Sequence, residues 1–392
     1  MSHNNIIKFL VLLMFLTTFK TKNKHTFINK LENKKECNIP ISYTIYDFCI
    51  ANSNVKENSV LILEPFHFHN ECTPGFSKYF IDLGYNVDII LHKIGITSLC
   101  IFEPINKIRF FFYDNKDILK EIAESINLKL KEYNYILIET TDPNILDLYI
   151  KLNLLNIKNS IFVFHHIDYS YKYSLFNKLK NFQIWSLGKF SIGTQVNPNF
   201  FGYIKKKRKS RKTKFFISST INRKYNLLIK AALTLKKENL QYFITVVGKD
   251  KTFSKNNITE EISENFKFRY KISFFDLYKE VYDSDYIIIN LDPTNKEDVI
   301  FKKIRVTGSV QLAYGFSKPV IINEEFADLY NFNATNSFIY KNSNFSKVMI
   351  GAINLNNQDY EKMQNNLIYL KNEIYAKSFY NVKKCLEEIR KS

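Results

Sequence analysis

Short apolar runs alternate with helix-forming segments along most of the chain, and this alternation constrains the fold more than any other feature. The first half contains five unbroken apolar runs of strand length, at residues 59–65, 86–92, 108–113, 135–140 and 160–166. Between two of them, residues 117–133 carry apolar side chains at helical spacing, including Ile118, Ile122 and Ile126. Strands that are apolar throughout, with no alternation of polar and apolar residues, and that are separated by helices indicate a parallel sheet covered on both faces.

The second half repeats this rhythm with its own set of strands. Further apolar runs lie at residues 213–219, 242–248, 266–272, 285–291, 318–323 and 337–341, and residues 223–238 form a helical stretch among them. A chain of 392 residues exceeds what one hydrophobic core usually supports. We therefore predict an α/β protein with two doubly wound, parallel-sheet, Rossmann-like domains in series.

A basic segment joins the two halves. Residues 203–214, "YIKKKRKSRKTK", contain eight basic residues in twelve positions. This run is either a solvated interdomain linker or a contact for anionic lipid, and a nuclear-targeting or nucleic-acid role is a third interpretation. The net charge of +18 also suggests an anionic partner, such as a membrane surface, nucleic acid or a phosphorylated substrate.

The N-terminus and the cysteines bear on localisation. Residues 6–19 are apolar except for Lys8 and a few hydroxyls, but about twenty apolar residues are needed to span a bilayer. A membrane-surface or packed helix and a signal or anchor segment remain alternatives. The five cysteines have no CxxC spacing, which argues against a disulfide framework or a zinc site and favours a reducing compartment. We expect a cytoplasmic protein that can be peripheral at the membrane surface.

Three stretches of the second half resemble GT-B glycosyltransferases of the nucleotide-sugar-dependent, group-1 type. Residues 215–249, "FFISSTINRKYNLLIKAALTLKKENLQYFITVVGK", resemble the opening of their donor-binding domain. Residues 272–290, "ISFFDLYKEVYDSDYIIIN", are similar to their helix and strand that enter the donor cleft. Residues 308–323, "GSVQLAYGFSKPVIIN", resemble their turn, helix and Lys-Pro-strand element. The match covers residues 213–323 well and the first half more loosely.

The resemblance implies two domains that face each other across a cleft, in the GT-B architecture. It predicts an N-terminal acceptor domain at residues 36–202 and a nucleotide-sugar-binding domain at residues 215–360, joined by the basic linker 203–214. It also implies that a C-terminal helical segment, residues 361–392, packs back toward the N-terminal domain. The apolar and basic segment 1–35 precedes these parts.

The resemblance places the donor's diphosphate at the turn formed by Thr307, Gly308 and Ser309. The first N–H groups of a helix have no internal partner, and the helix dipole favours a nearby anion. Gly308 would let a phosphate approach the backbone closely. An ordinary tight helix–strand packing unit is the structural alternative.

Basic residues supply the remaining donor-site candidates. The resemblance assigns Arg223 and Lys224 to the diphosphate, because cations stabilise the charge of the departing group. A charged first turn of a solvated helix is the alternative for this pair. Lys303 and Arg305 precede the diphosphate turn and are further candidates.

The chain also departs from the family pattern. Many retaining GT-B enzymes carry two glutamates here, with seven residues between them, but the corresponding positions are Ile304 and Leu312. Asp292 or Glu297 could substitute for them. The "DSD" stretch at 283–285 matches the DxD metal motif of the other large glycosyltransferase fold, but it precedes a strand instead of ending one. We expect turn and capping roles for its aspartates and no obligatory metal.

Catalytic candidates in the first half follow two predicted strands. Glu71, with His69 beside it, is the candidate general base or acceptor contact, and a helix first-turn acid is the alternative. His165 and His166 end the strand 160–166, so one should point into the packing and the other toward the cleft. His166 or Asp168 is a candidate for contact with the acceptor.

These residues predict a transferase that moves a sugar from a nucleotide-sugar donor to a glycan or lipid-linked acceptor. The resemblance implies no cofactor beyond the donor substrate. A non-catalytic GT-B-like binding protein and a basic nucleic-acid-binding protein are the alternatives. The lack of RNA-recognition motifs and of a Walker loop argues against nucleic acid.

Overall fold

The computed structural model describes most of the chain after the N-terminal region, apart from several loops. The described residues are 42–49, 54–66, 69–95, 107–166, 175, 177–188, 192–198, 212–219, 223–248 and 253–391. The predicted N-terminal apolar segment, most of the basic linker and Asp168 lie outside these residues. None of the described helices is both long and apolar enough to cross a membrane.

The first sheet has eight strands within the described residues, and all neighbouring strands run parallel. In chain order they are β1 (Ser42–Thr44), β2 (Ser59–Leu63), β3 (Asn86–His92), β4 (Ile108–Tyr113), β5 (Tyr135–Ile138), β6 (Ser160–Phe164), β7 (Gln183–Ser186) and β8 (Thr194–Gln195). Their order across the sheet is β1-β4-β3-β2-β5-β6-β7-β8. β1, β7 and β8 were not predicted, because their residues, SYT, QIWS and TQ, do not form unbroken apolar runs.

The second sheet has six described strands, again all parallel. They are β9 (Thr213–Ser219), β10 (Tyr242–Gly248), β11 (Phe266–Tyr270), β12 (Tyr286–Ile289), β13 (Val320–Asn323) and β14 (Phe338–Tyr340). The order across the sheet is β11-β10-β9-β12-β13-β14. Each of these strands lies within a run predicted from the sequence.

Each sheet contains a point where the winding of the chain reverses. β2 lies between β3 and β5, and β9 lies between β10 and β12. At such a switch point the loops after the two central strands diverge and leave a crevice, which is where open α/β sheets bind ligands. The predicted fold class of two doubly wound parallel sheets is confirmed.

The α-helices connect the strands and cover the sheets. Their bounds are Ile45–Cys49, Thr73–Asp82, Lys116–Glu121, Ala123–Leu130, Leu146–Lys151, Asn226–Lys237, Glu260–Ser263, Phe274–Asp283, Lys296–Val299, Gly308–Phe316, Glu324–Ala327, Phe345–Asn354 and Asn357–Lys391. The single helical segment predicted at 117–133 is two helices, which meet at Ile122.

The first sheet is buried on both faces, as its unbroken apolar strands require. Leu61 and Leu63 of β2 belong to one hydrophobic cluster, whereas Val60 and Ile62 belong to another. Successive side chains of a strand point to opposite faces, so the two clusters lie on opposite sides of the sheet. This explains why the strand shows no alternation of polar and apolar residues.

The C-terminal helix Asn357–Lys391 contacts both sheets. Near its start, Tyr360 packs in the core of the second sheet and donates a hydrogen bond to the carbonyl oxygen of Asp285 at 2.7 Å. Farther along, Val382 and Leu386 belong to a core cluster of the first sheet. The helix therefore begins before residue 361 and crosses from one sheet to the other. The domain boundaries drawn from the sequence stay predictions.

Lys318 explains the Lys-Pro pair that follows the helix Gly308–Phe316. Its side chain is buried, and its Nζ donates to the carbonyl oxygens of Tyr282 at 2.8 Å and Ser284 at 2.5 Å. These carbonyls lie at the C-terminus of the helix Phe274–Asp283, where a cation is favourable. Lys318 therefore fixes the end of the helix Phe274–Asp283 against the start of β13.

Candidate functional site

The helix Gly308–Phe316 begins at the turn that the sequence analysis assigned to the diphosphate. Thr307 is its N-cap, with extended backbone and no capping hydrogen bond from its side chain. Gly308 is exposed, and a Cβ added there would meet no heavy atom within 4 Å. Every residue from Ser309 to Phe316 is buried. Gly308 therefore lies at an open surface at the start of the helix, while the body of the helix is packed in the protein.

Gln311 is a polar residue of this helix that the sequence analysis did not identify. The residue is 3% exposed, and neither polar atom of its amide has a hydrogen-bond partner within the described residues. Side chains of a helix tilt toward its N-terminus, so the amide leans toward the turn at Gly308. Because unsatisfied buried polar groups are costly, this amide favours a ligand or water at the start of the helix.

Arg223 has an internal partner in the second domain. Its Nη1 donates to Oδ1 of Asp298 at 2.5 Å and to the carbonyl oxygen of Asn290 at 2.9 Å. Its guanidinium carbon also lies 4.9 Å from the ring centre of Phe301. Burial raises the pKa of Asp298 and lowers the pKa of Arg223, so desolvation outweighs their mutual attraction in both groups. Its role as a phosphate ligand stays a prediction.

Lys224 points to a different set of residues. Its Nζ lies 3.7 Å from Oδ2 of Asp292 and 3.4 Å from Oγ1 of Thr294. Both Arg223 and Lys224 precede the helix Asn226–Lys237, so the alternative of a charged first helical turn was wrong. The side chain of Lys224 is 54% exposed, and it therefore remains accessible to an anion.

Arg305 comes two residues before Thr307, the N-cap residue of the diphosphate turn. It is exposed, and its guanidinium carbon lies 5.8 Å from the ring centre of Phe301, which Arg223 also contacts. Its backbone forms an isolated antiparallel bridge with His166. Thus Arg305 is the predicted donor-site cation that adjoins the first sheet.

The other second-half candidates have more ordinary surroundings. Lys303 is exposed after a short 3₁₀ turn, and Glu297 is exposed in the first turn of the helix Lys296–Val299. In the "DSD" stretch, Oδ2 of Asp285 accepts a hydrogen bond from the backbone N–H of Lys214 at 2.8 Å. This contact gives Asp285 a structural role, and the expected metal independence stays a prediction.

The first-sheet candidates gather where β2 and β6 end. Nδ1 of His69 lies 3.8 Å from Oε1 of Glu71, and the ring of His69 stacks on His165 with the ring centres 4.1 Å apart. His165 is buried and His166 is half-buried, and the expectation that one of them points toward the cleft stays a prediction. Glu71 precedes the helix Thr73–Asp82, so it is not a first-turn acid.

Two glutamates that the sequence analysis did not single out lie beside these histidines. Glu64 follows β2 and Glu139 follows β5, and both are fully buried. Oγ1 of Thr140 donates to Oε2 of Glu64 at 2.5 Å, and Oγ1 of Thr73 donates to Oε2 of Glu139 at 2.7 Å. Burial raises the pKa of each carboxyl well above its usual range, and the charge of Glu71 raises both further.

The sequence did contain a signal for this pair. Each glutamate directly follows an apolar strand, in "LILEP" at 61–65 and "LIET" at 137–140. Consecutive parallel strands end at the same edge of a sheet, so acids in both places meet if the strands are neighbours. The pairing of β2 with β5 makes them neighbours, and the strand order was not readable from the sequence.

The candidate site is separate from a cavity of about 470 Å³ elsewhere in the chain. Its lining includes Asn331, Asn333, Asn336, Asn366 and Tyr369. None of the predicted site residues lines it. We place the candidate site at the switch points instead, because the buried acids, the open helix start and the exposed Arg305 lie there.

Comparisons with known proteins show the fold. No protein-family model and no curated protein matches the chain. A solved glycosyltransferase from Rickettsia africae aligns with a TM-score of 0.56 and 15% identity, over 86% of this chain and 100% of the other. HepE from Anabaena, solved in complex with UDP, aligns with a TM-score of 0.51 and 11% identity, over 84% of this chain and 100% of the other. The chain has a GT-B-like fold.

Proposed function

We propose that this GT-B-like chain is a glycosyltransferase that moves a sugar from a nucleotide-sugar to a glycan or lipid-linked acceptor. The observation that carries the proposal is the start of the helix Gly308–Phe316. Three features occur together there. The turn at Gly308 is open, the amide of Gln311 is buried without a hydrogen-bond partner among the described residues, and Arg305 is exposed. These groups suit a diphosphate, which accepts hydrogen bonds and carries negative charge.

In the proposed reaction, this part of the second domain stabilises the leaving group. The bond between the sugar and the diphosphate breaks, and negative charge builds on the diphosphate oxygen. Amides at the helix start would donate to that charge, and Arg305 would pair with it. Lys224 is a second accessible cation. We propose that these groups act without a metal and without a cofactor beyond the donor.

The acceptor would be activated at the edge of the first sheet. Glu71 is the proposed general base, and it would take the proton of the acceptor hydroxyl as that oxygen attacks the sugar. The side chain of Glu71 is 23% exposed, so an acceptor can reach it. His166 is proposed to contact the acceptor, because its backbone bridge with Arg305 places it beside the donor half.

UDP binding tests the donor site directly. Calorimetric titration should show UDP binding to the wild type, and Gly308→Val should reduce the affinity because its methyl groups would occupy the phosphate's approach. Arg305→Ala should cost about 1.5–3 kcal/mol if the guanidinium donates to a phosphate. The matched control is Lys296→Ala, which removes an exposed cation from a neighbouring helix. Unchanged affinity in Gly308→Val and Arg305→Ala, with native melting temperatures, would contradict the site.

Turnover separates an enzyme from a binding protein. A panel of radiolabelled nucleotide-sugars should show slow hydrolysis of the correct donor without acceptor, and transfer when an acceptor is added. UDP binding with no turnover of any donor would instead support a non-catalytic GT-B-like binding protein. A steeply salt-dependent shift of nucleic acid would support the third alternative.

A further inference from the structure

Glu64 and Glu139 form a buried acid pair at the switch point of the first sheet. Their strands, β2 and β5, are paired in the sheet, and each glutamate directly follows its strand. Both side chains are fully buried. Oε1 of Glu139 has no hydrogen-bond partner within the described residues. The pair therefore lies at the place where this fold class opens its ligand crevice.

The described surroundings of the pair do not neutralise two negative charges. Among the described residues, no salt bridge joins either carboxylate to a lysine or arginine. The hydrogen bonds come from neutral groups, namely the hydroxyls of Thr73 and Thr140 and the backbone N–H of Phe66. Two buried acids that repel each other cannot both ionise near neutral pH, so the pair retains a proton.

Short contacts connect this pair to the accessible Glu71. Thr73, which donates to Glu139, lies two residues after Glu71. Nε2 of His165 donates to the carbonyl oxygen of Glu139 at 2.9 Å, and the ring of His165 stacks on His69, next to Glu71. Because the charge of Glu71 disfavours ionisation of both buried acids, their charge must disfavour ionisation of Glu71 in return.

We propose that Glu64 and Glu139 are positioning residues, which carry one negative charge between them and make Glu71 a stronger base than an isolated carboxylate. The inference rests on the proposed function of Glu71 as the group that deprotonates the acceptor. One negative charge left on the pair raises the proton affinity of Glu71, and a base works best when its pKa approaches the operating pH.

Within the part of the chain that the structure describes, further titratable groups lie around the acids. Cys72, Tyr113 and Tyr149 face the pair, and the pKa of each is raised, primarily by burial, so that all three are neutral near pH 7. Tyr278 lies near Glu71 and is neutral for the same reason. The stacked rings of His69 and His165 also lie beside the acids, so the test compares variants at matched pH.

The test is an NMR titration of Glu71 in the full chain without nucleotide. Glutamate labelled with ¹³C at the carboxyl carbon is incorporated, and the Glu71 signal is the one lost in Glu71→Gln. In the double variant E64Q/E139Q, the titration midpoint of Glu71 should fall by about half a pH unit or more. Each single variant should shift it by less than half as much, because the remaining carboxyl takes over the charge.

A matched control uses two exposed acids. The double variant E121Q/E132Q makes the same two Glu→Gln substitutions at the surface and should leave the Glu71 midpoint unchanged. If E64Q/E139Q changes the melting temperature but not the midpoint, the pair is merely structural and the proposal is overturned. If the double variant does not fold, the single variants decide: a shift of about half a pH unit or more in either one would show that the remaining carboxyl does not take over the charge, and would overturn the proposal.

The result is independent of the donor-site test. UDP titration of the same samples reports on the donor site, and the Glu71 midpoint reports on the acid pair. A shifted midpoint with no UDP binding and no turnover of any donor in the panel would support the acid pair and contradict the transferase. If donor hydrolysis is observed, the acid limb of its pH–rate profile should move to lower pH in E64Q/E139Q. An unmoved acid limb would overturn the role of the acid pair in the reaction.

Discussion

His166 and Arg305 pair through an antiparallel backbone bridge that joins the two halves of the candidate site. His166 comes two residues after β6 of the first sheet, and Arg305 comes two residues before Thr307, the N-cap of the helix Gly308–Phe316. The bridge therefore brings a proposed acceptor residue beside the proposed donor turn. Because backbone groups form it, side-chain substitutions at either residue can test function without removing the connection.

The buried pair of Arg223 and Asp298 leads to a prediction about stability. Arg223→Ala should destabilise the protein by about 3–5 kcal/mol, because it leaves Asp298 buried and uncompensated. Adding Asp298→Asn should recover part of this loss, since it removes the uncompensated charge. Urea unfolding followed by tryptophan fluorescence and circular dichroism would give the midpoints.

Lys224→Ala provides the matched control for that experiment. It removes a cation from the adjacent position, but the side chain is exposed, so the change should stay within about 0.5 kcal/mol. An Arg223→Ala protein as stable as Lys224→Ala would show that the ion pair is unimportant for folding. The guanidinium would then be available for the phosphate role that the sequence suggested.

Lys371 leads to a prediction about pH. Its Nζ donates to the carbonyl oxygen of Gly315 at 2.9 Å, and burial, with a smaller effect of Lys78, lowers its pKa to about 8. The residue as a whole is half-buried, but its ammonium end lies against the protein. Between about pH 8 and the unfolded value near 10.4, the unfolded chain binds more protons than the folded one, so stability should rise with pH.

The comparison with Lys371→Met isolates this effect. The wild type should gain about 1–3 kcal/mol relative to the variant as the pH rises through that window. Tyrosines that ionise in alkali affect both proteins equally, so the difference in urea midpoints reports on Lys371. A difference that stays constant from pH 7 to pH 10.5 would mean that Lys371 titrates normally in the folded protein.

The basic linker leads to a prediction about membranes. Binding to vesicles should rise with their anionic lipid content and fall with salt, because surface attraction is screened over about 8 Å at physiological ionic strength. Replacing Lys205, Lys206, Lys207 and Arg208 by Gln should weaken binding by about 1 kcal/mol per charge. Co-sedimentation with vesicles of increasing phosphatidylserine content would measure it.

Two controls accompany the vesicle experiment. Gln substitutions at Lys230, Lys237, Lys347 and Lys362, all exposed, remove the same charge elsewhere. A chain without residues 1–35 separates the contribution of the N-terminal apolar segment. Equal loss of binding in both sets of charge variants would assign the effect to net charge, and the linker would have no specific membrane role.

The fold was predictable because both faces of each sheet are buried. β4 has the same bounds as its apolar run, residues 108–113, and β9 has those of residues 213–219. The site was less predictable because it depends on contacts between distant residues. Arg223 and Asp298 are 75 positions apart, and Thr140 and Glu64 are 76 apart. Only the strand order brings such residues together, and no local pattern specifies that order.

Gln311 leads to the last prediction, in which two measurements should move in opposite directions. Its amide is buried without a described partner, so Gln311→Met, which has nearly the same shape, removes two unsatisfied polar atoms. The free protein should become more stable by about 1–3 kcal/mol. If the amide contacts the proposed diphosphate, UDP affinity should fall in the same variant. Thermal unfolding without nucleotide and calorimetric titration with UDP would measure the two effects. Greater stability with unchanged affinity would remove Gln311 from the donor site, whereas lower stability would show that the amide already has a partner in the free protein.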